Sequence, residues 1–229
     1  DLVVVVVPTA SGNSDLARRL AAALDCEIGS ADSVQVYRGF DLASGKPTAA
    51  ERAAIRHHLI DVREADDPLD AAEFAALADR AIEEIRARGR RRLVCGGTCL
   101  WVKALVYGLM PSAPKDEALR ARHKERAARE GRAALHAELA EKDPESAKRL
   151  APNDLVRVSR ALEIFELTGK RQSELIGSHG FREVRHAARL LGVRREREEL
   201  DRRIEARVQG WIELGVVDEV RGLIARGLG

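Results

Sequence analysis

Near its start the chain reads Leu2-Val3-Val4-Val5-Val6-Val7-Pro8-Thr9-Ala10-Ser11-Gly12-Asn13-Ser14, and a helical pattern of alanine and leucine follows. An unbroken run of β-branched residues is typical of a central strand in a parallel sheet, because helices cover both faces of such a sheet. A loop that ends in Gly12 lets backbone N–H groups converge at the start of the next helix, where the helix dipole favours an anion. We therefore expect an interior strand, a phosphate-binding turn and a helix.

This turn matches a nucleotide-binding motif only in part. The P-loop pattern is G-x-x-x-x-G-K-S/T, in which the lysine reaches the outer phosphates and the hydroxyl holds magnesium. Gly12 and Ser14 match the pattern, whereas Val7 stands at the first glycine and Asn13 at the lysine. Backbone donors alone can hold phosphate, but one full positive charge is missing, so we expect binding to survive better than catalysis. The residues alone equally fit an ordinary β–α turn with Ser14 as the helix cap.

The composition limits the class of protein. The 229 residues can bury one core of ordinary size and leave a smaller second lobe. Charged residues make up 33% of the chain and sum to +2, so the overall charge does not indicate nucleic-acid binding. Three cysteines at irregular spacing fit a reducing compartment, and the aliphatic run at the start is far too short for a membrane span. We expect a soluble, cytoplasmic protein without membrane contact that acts as a monomer.

Apolar spacing along the chain predicts alternating strands and helices. After the first strand, helices are expected at residues 14–24 and 71–88, and strands at residues 26–30, 59–62, 92–95 and 187–193. Residues 111–177 show only helical, strongly charged patterns, with Asn153 as an N-cap and Gly169 as a C-cap. We therefore predict an α/β fold, a P-loop NTPase-like parallel sheet flanked by helices, with an inserted all-helical lobe. The core is expected from residues 1–110 and 178–229, and the lobe from residues 111–177.

Six motifs follow one another along the chain. They are Pro8-Thr9-Ala10-Ser11-Gly12, Asp32-Ser33-Val34-Gln35-Val36-Tyr37-Arg38-Gly39, Lys46-Pro47-Thr48, His57-His58-Leu59-Ile60-Asp61, Gly96-Gly97-Thr98, and Pro152-Asn153-Asp154 with Arg157 and Arg160-Ala161-Leu162-Glu163. No single motif is decisive, since a phosphate-binding turn alone fits kinases and many NTPases. Together and in this order, they resemble the tRNA dimethylallyltransferase family from end to end of the chain.

The resemblance implies a reaction and its ligands. A dimethylallyl group passes from dimethylallyl diphosphate to the exocyclic amine of the adenine on the 3′ side of the anticodon in tRNA, and the helical lobe holds the anticodon stem-loop. By this resemblance Ser14 ligates the cofactor Mg²⁺, and the diphosphate is bound by Thr9, Ala10, Ser11, Gly12, Asn13 and Ser14. Members of the family continue for several helices beyond the position of Gly229, so the sequence fits a fragment, a degenerate relative or the ordered part of a longer protein.

Three residues are the predicted catalytic groups. An exocyclic amine is a weak nucleophile because its lone pair is delocalised into the ring, so a carboxylate that accepts its proton is useful. Asp32 follows a predicted strand and matches the aspartate of the family motif, which makes it the candidate base; by itself it also fits a turn or a cap. By the resemblance Thr98 contacts the target nucleotide or the reacting centre, and Arg197 reaches the diphosphate. Arg197 alone also fits a surface arginine in a charged helix.

The expected tRNA contacts fall in both lobes. In the core they are Asp32, Ser33, Val34, Gln35 and Thr98, and in the helical lobe Arg120, Arg157 and Arg160. Gln35 suits paired hydrogen bonds to a base edge, whereas Arg157 and Arg160 suit the RNA backbone. His57 and His58 lack a third ligand in the sequence, so we interpret them as structural.

Two other classes of function remain open from the sequence. A small-molecule kinase with a degenerate P-loop would bind ATP tightly with magnesium, but it leaves the Asp-Ser-x-Gln segment and the helical insertion unexplained. A tRNA-binding relative without catalytic activity would bind the anticodon stem-loop in a salt-dependent way and form no prenyl product. Of these two alternatives, the tRNA-binding relative is the stronger one.

Overall fold

The computed structural model describes residues 1–6, 12–109, 114–181 and 183–228, without the side chains of Asn13 and His179. The chain divides into two compact units. One, the α/β unit, comprises Asp1–Gly108 and Val184–Gly229. The other, the helical unit, comprises Leu109–Glu183.

A parallel sheet organises the α/β unit. Its strands are β1 (Leu2–Val6), β2 (Cys26–Ser30), β3 (His57–His58), β4 (Arg91–Gly96) and β5 (Ala188–Gly192). They lie in the order β3-β2-β4-β1-β5, and every pairing is parallel. The valine run therefore forms an interior strand between β4 and β5, as its β-branched composition predicts, and the predicted parallel α/β fold is confirmed.

Helices cover both faces of this sheet. Those packed on the sheet are α1 (Asn13–Leu24), α3 (Ala71–Ala87) and α4 (Cys99–Tyr107); the unit also contains α2 (Ala49–Ala54), α10 (Arg197–Glu213) and α11 (Val216–Ala225). On one face Ala17 and Ala21 of α1 pack against Val5, Ile28 and Leu93. On the other face α3 and α4 bury a stacked Phe74–Trp101 ring pair with the sheet residues Val4 and Val94. Burial of both faces explains why the central strands carry apolar residues without alternation.

The third strand lies earlier than the predicted residues 59–62. It consists of His57–His58 alone, which pairs with β2. Leu59 and Asp61 adopt positive φ angles of 65° and 57°, which no β-strand accommodates. Lys46 and Arg52 hold the Asp61 carboxylate, at 2.6 Å and 2.8 Å. Apolar character predicted the burial of Leu59 correctly, but contacts from a distant loop determine its backbone conformation.

The helical unit has its own core. Its helices are α5 (Glu117–Glu130), α6 (Arg132–Lys142), α7 (Pro144–Arg149), α8 (Leu155–Thr168) and α9 (Gln172–His179). Leu135 and Leu139 of α6 pack with Val158 and Leu162 of α8, all fully buried. The N-cap of α8 is Asp154, one residue later than the predicted Asn153, because its carboxylate accepts a bond from the N–H of Arg157. Gly169 is the C-cap, as predicted.

Within the described ranges, no helix carries an apolar stretch long enough to cross a membrane.

Candidate functional site

A pocket lies where β2 and β4 end and α1 begins. It encloses about 430 Å³, including solvent at its mouth. Its lining comprises Ser14, Ala17, Arg18, Ile28, Ser30, Asp32, Gln35, Pro47, His57, Cys95 and Gly96. The predicted base Asp32 and the predicted metal ligand Ser14 therefore border one space, at the edge of a parallel sheet where ligands bind in open α/β folds.

The Asp32 carboxylate is fixed by its own backbone turn. Oδ1 accepts hydrogen bonds from the N–H of Val34 at 2.9 Å and of Gln35 at 3.3 Å. Such a turn fixes the side chain within the loop that follows β2. Burial, with a smaller contribution from the nearby Asp32 charge, raises the pKa of the Cys95 thiol to about 12. The pocket wall beside Asp32 is thus a neutral thiol and Asp32 is the acidic group of that wall.

Thr98 and Gln35 support this loop. The Thr98 hydroxyl accepts from the N–H of Ser33 at 3.0 Å and donates to its Oγ at 3.2 Å. The Gln35 amide accepts from the Ser30 hydroxyl at 2.8 Å and donates to the carbonyl oxygens of Ser44 and Gly45. Both side chains are therefore engaged in positioning the loop, and a contact from either to a base would replace one of these bonds. Val34, the remaining predicted rim residue, is exposed.

Gly96 allows two backbone segments to approach closely beneath Asp32. A Cβ placed on Gly96 would lie 2.1 Å from the carbonyl oxygen of Ala31, which is fully buried. That oxygen also accepts a hydrogen bond from the N–H of Thr98 at 3.3 Å, and the N–H of Ala31 donates to the backbone carbonyl oxygen of Cys95 at 2.8 Å. Because Asp32 follows Ala31 directly, the close approach of Gly96 and Ala31 helps to fix the position of the Asp32 carboxylate in the pocket.

The predicted phosphate turn is described only from Gly12 onward. Val7, Thr9, Ala10 and Ser11 lie outside the described residues, as does the side chain of Asn13. Gly12 is the N-cap of α1 with a φ of 88°, a conformation that favours glycine, and its carbonyl accepts the first helical bond from Leu16. Ser14 is exposed inside the first turn of α1, so it does not cap the helix and remains a candidate ligand at the pocket.

A basic pocket adjoins this site and shares Ser14, Arg18 and Pro47 with it. Its remaining lining comprises Gly12, Asp15, Gly45, Lys46, Glu51, Arg203, Ala206 and Arg207. Arg207 packs over the Trp211 ring at 4.5 Å. Burial lowers the pKa of the Arg207 guanidinium, and the charge of Asp32 opposes that shift. A phosphate-sized anion at the start of α1 would therefore meet arginine side chains from α10.

The loop between β2 and α2 is tied to the C-terminal helices. Glu219 of α11 accepts three consecutive backbone N–H bonds, from Asp41, Leu42 and Ala43, at 2.9, 2.7 and 2.9 Å. Lys46, nearly inaccessible to solvent, bonds the carbonyl of Tyr37 as well as carboxylates. These contacts hold the loop in place beside the pocket. No local spacing in the sequence indicates that Glu219 binds the N–H groups of this loop.

Arg197 differs in position from the other arginines of α10. Its side chain is 94% exposed, with Nε 3.9 Å from Asp201, and the two pockets are lined by other residues. Arg195 and Arg203 instead lie against Gly12. Glu199, Arg203 and Arg207 recur every four positions in α10 and so share one helix face, whereas Arg195 lies two residues before the helix begins.

The two histidines make structural contacts. Nδ1 of His57 lies 2.7 Å from the carbonyl of Ile55, so this nitrogen carries the proton, and burial lowers the pKa of the ring. His58 lies 2.6 Å from Glu27, which Arg88 also binds; the Arg88 bond contributes most to lowering the pKa of Glu27 to about 2. In the described part of the chain, no group of three or more His, Cys, Asp or Glu side chains could hold a metal.

The predicted tRNA-binding arginines of the helical unit fall into two groups. Arg120 and Arg160 both bind the fully buried Glu163, which also accepts the N–H of Asp116 at 2.7 Å. Arg157 is 74% exposed and pairs only loosely, at 3.2 Å, with Asp154. It borders a surface pocket whose lining comprises Arg149, Leu150, Val156, Arg157, Arg160, Gln172 and Ile176. Of the three arginines, Arg157 is the most accessible to a ligand.

Known proteins match this chain along most or all of its length. A family model described as IPP transferase matches residues 35–229. A tRNA dimethylallyltransferase of Sorangium cellulosum is 64% identical over the whole chain, which covers 73% of that relative. The crystal structure of a tRNA isopentenylpyrophosphate transferase from Bacillus halodurans is 36% identical with a TM-score of 0.67, covering 100% of this chain and 71% of that one. A eukaryotic dimethylallyltransferase acting on tRNA is 26% identical with a TM-score of 0.79, covering 99% of this chain and 56% of that one. The chain therefore belongs to the IPP transferase family, together with these tRNA prenyltransferases.

Proposed function

We propose that this protein transfers a dimethylallyl group from dimethylallyl diphosphate to the exocyclic amine of the adenine on the 3′ side of the anticodon in tRNA. The observation that carries this proposal is that Asp32 and Ser14 line one pocket, which places a fixed carboxylate opposite the start of α1. One side of the pocket suits a proton acceptor, and the other suits an anionic leaving group.

The reaction breaks one bond and forms one. The amine nitrogen forms a bond to the first carbon of the dimethylallyl group, while the bond from that carbon to the diphosphate oxygen breaks. Asp32 accepts the proton that the nitrogen loses, and the diphosphate leaves with the electron pair. With Oδ1 engaged in the turn, Oδ2 is the oxygen that we assign to the proton.

The leaving group requires positive charge and hydrogen-bond donors. Backbone N–H groups at the start of α1 supply donors, and the arginines of α10 supply charge. The Ser14 hydroxyl is an oxygen donor of the kind that Mg²⁺ accepts together with substrate phosphates, so the residues present fit this ion. When bound, Mg²⁺ would neutralise the charge that develops on the diphosphate.

The RNA must deliver an unstacked base. Extruding a nucleotide costs a few kcal/mol, which contacts to the loop and to the RNA backbone have to offset. Ser33 and Val34 follow Asp32 in its loop, Thr98 bonds that loop, and Arg157 offers an exposed cation on the helical unit. We assign base contacts to the first group and backbone contacts to Arg157.

A transfer assay tests the proposed function. The protein is incubated with radiolabelled dimethylallyl diphosphate and an adenine-rich anticodon stem-loop, with and without Mg²⁺. We expect labelled RNA, and none from a stem-loop whose target adenine is replaced by guanine. Stem-loop binding without labelled product would indicate the non-catalytic relative, and tight ATP binding without affinity for dimethylallyl diphosphate would indicate the kinase.

Replacement of Arg157 by glutamine tests the RNA side. Loss of one phosphate contact should weaken stem-loop binding and reduce the slope of log affinity against log salt by about 1. The free energy of unfolding should not change, because the side chain is 74% exposed. Arg129→Gln, which removes the same charge from a 75% exposed position on α5, serves as the control. If the slopes of log affinity against log salt are equal for the two variants, Arg157 does not contact the RNA backbone.

A further inference from the structure

Two arginines reach the start of α1 from the C-terminal part of the α/β unit. A Cβ placed on Gly12 would lie 3.6 Å from Nη2 of Arg195 and 3.7 Å from Nη1 of Arg203. Arg195 comes just before α10, and Arg203 lies within it. Both guanidinium groups therefore lie beside Gly12, which directly precedes Asn13, the position at which the P-loop pattern has a lysine.

A carboxylate between the two arginines orients them. Glu199 Oε1 accepts from Nη1 of Arg195 at 2.8 Å and from Nε of Arg203 at 3.0 Å. The nitrogens nearest Gly12 are different ones, so each guanidinium bonds Glu199 through one nitrogen and has another beside Gly12. Glu199 and Arg203 are four apart within α10 and so share one face of that helix, whereas Arg195 precedes the helix and is joined to this face through its bond with Glu199.

We propose that Arg195 and Arg203, oriented by Glu199, supply the diphosphate with the positive charge that a lysine at position 13 would supply. This inference rests on the proposed function and identifies how this chain binds its leaving group. Two arginines and one carboxylate sum to one positive charge, which is the charge of the missing lysine. A guanidinium also offers paired N–H donors that match phosphate oxygens, whereas an ammonium is a point charge.

The chemistry requires no proton from either arginine. When the carbon–oxygen bond breaks, the electron pair moves to the diphosphate, and the positive charge of the two guanidinium groups would stabilise the added negative charge. Arg195 and Arg203 are 31% and 42% exposed, so replacing them by glutamine creates no buried cavity. Variants at these positions should fold.

The test combines loss of the arginines with gain of the lysine. Four proteins are compared: the parent, Asn13→Lys, Arg195→Gln with Arg203→Gln, and all three changes together. The paired arginine change should lower kcat by ~100-fold or more and weaken binding of inorganic pyrophosphate, measured by calorimetry. Asn13→Lys should raise kcat at most ~3-fold in the parent but at least ~10-fold in the arginine-deficient protein, since the two sources of charge substitute for each other.

Controls separate this inference from the proposed function. Arg221→Gln removes the same charge from a 75% exposed position on α11 and should leave pyrophosphate binding unchanged. If the arginine-deficient protein keeps the kcat and the pyrophosphate affinity of the parent, the inference about the arginines is overturned. Formation of prenylated product in the same experiment would still support the proposed prenyl-transfer function. Equal gains from Asn13→Lys in both backgrounds would also overturn the inference about the arginines. If the parent forms no product yet its pyrophosphate binding depends on Arg195 and Arg203, the charge assignment stands and the prenyl-transfer function fails.

Discussion

Replacing Asp32 by asparagine should lower the rate of dimethylallyl transfer by ~10²- to 10⁴-fold, the usual contribution of a positioned general base. Asparagine keeps a side-chain oxygen that can accept the bonds from Val34 and Gln35, so the turn that holds the loop is retained. The change therefore removes the negative charge and the proton acceptor while leaving the geometry in place. The measurement is single-turnover transfer to a stem-loop at saturating dimethylallyl diphosphate.

Binding measurements show whether the loss lies in the chemical step. Because a negative charge is removed from the neighbourhood of Arg207, pyrophosphate affinity should stay equal or rise. Asp66→Asn, the same change at an exposed position of the α/β unit, should leave the rate unaltered. A general base contributes at least ~10²-fold to the rate. If the Asp32→Asn protein transfers the prenyl group at a rate within about threefold of the parent, Asp32 is not the base.

The sheet could be predicted from the sequence where local pattern and tertiary environment agree. The valine run of β1 and the alanines and leucines of α1 carry their burial in their composition, so the sequence predicts both elements to within one or two residues. The segment after β3 could not be predicted in this way, because ion pairs of Asp61 with Lys46 and Arg52 hold it in a conformation that its apolar residues do not favour. Long-range contacts of this kind leave no periodic signal in the chain.

The residues of the candidate site also differ in how far local sequence predicts them. The motifs predict that Asp32 and Ser14 lie near each other, since one follows a strand end and the other begins a helix, and both line one pocket. Motif position also selected Arg197, but the side chains that reach Gly12 belong to Arg195 and Arg203. Which face of α10 meets the turn depends on how the helix packs, and a charged helix with arginines on several faces does not encode that choice locally.

The helical unit shows why charge alone is a poor guide to RNA contacts. Arg120 and Arg160 carry the expected charge, yet both bind Glu163, whose carboxylate is completely buried. A buried carboxylate without its arginines would be strongly destabilising, so these side chains maintain the fold whether or not they also touch RNA. Loss of tRNA affinity on replacing either one would therefore mix folding with binding, which the exposed Arg157 avoids.

Replacing Gly96 by alanine should damage both stability and catalysis. The added Cβ would lie 2.1 Å from the carbonyl oxygen and 2.3 Å from the carbonyl carbon of Ala31, and no rotation of a side chain can relieve contact between backbone atoms. We expect a loss of about 1–3 kcal/mol in the free energy of unfolding, as for other overpacked core sites. Because Ala31 must shift and Asp32 is its neighbour, we also expect kcat to fall by ~100-fold.

Denaturant unfolding and single-turnover transfer on the same protein separate these two effects. Gly192→Ala is the matched control, since it also adds a methyl group at the end of a strand, where nothing lies within 4 Å of the new Cβ. A destabilised Gly96→Ala protein that transfers the prenyl group at the parent rate would show that Ala31 can move without displacing Asp32. Reduced transfer with intact pyrophosphate binding would place the loss at the carboxylate, because the hydrogen bonds described for the Asp32 loop join it to Thr98 and to its own backbone.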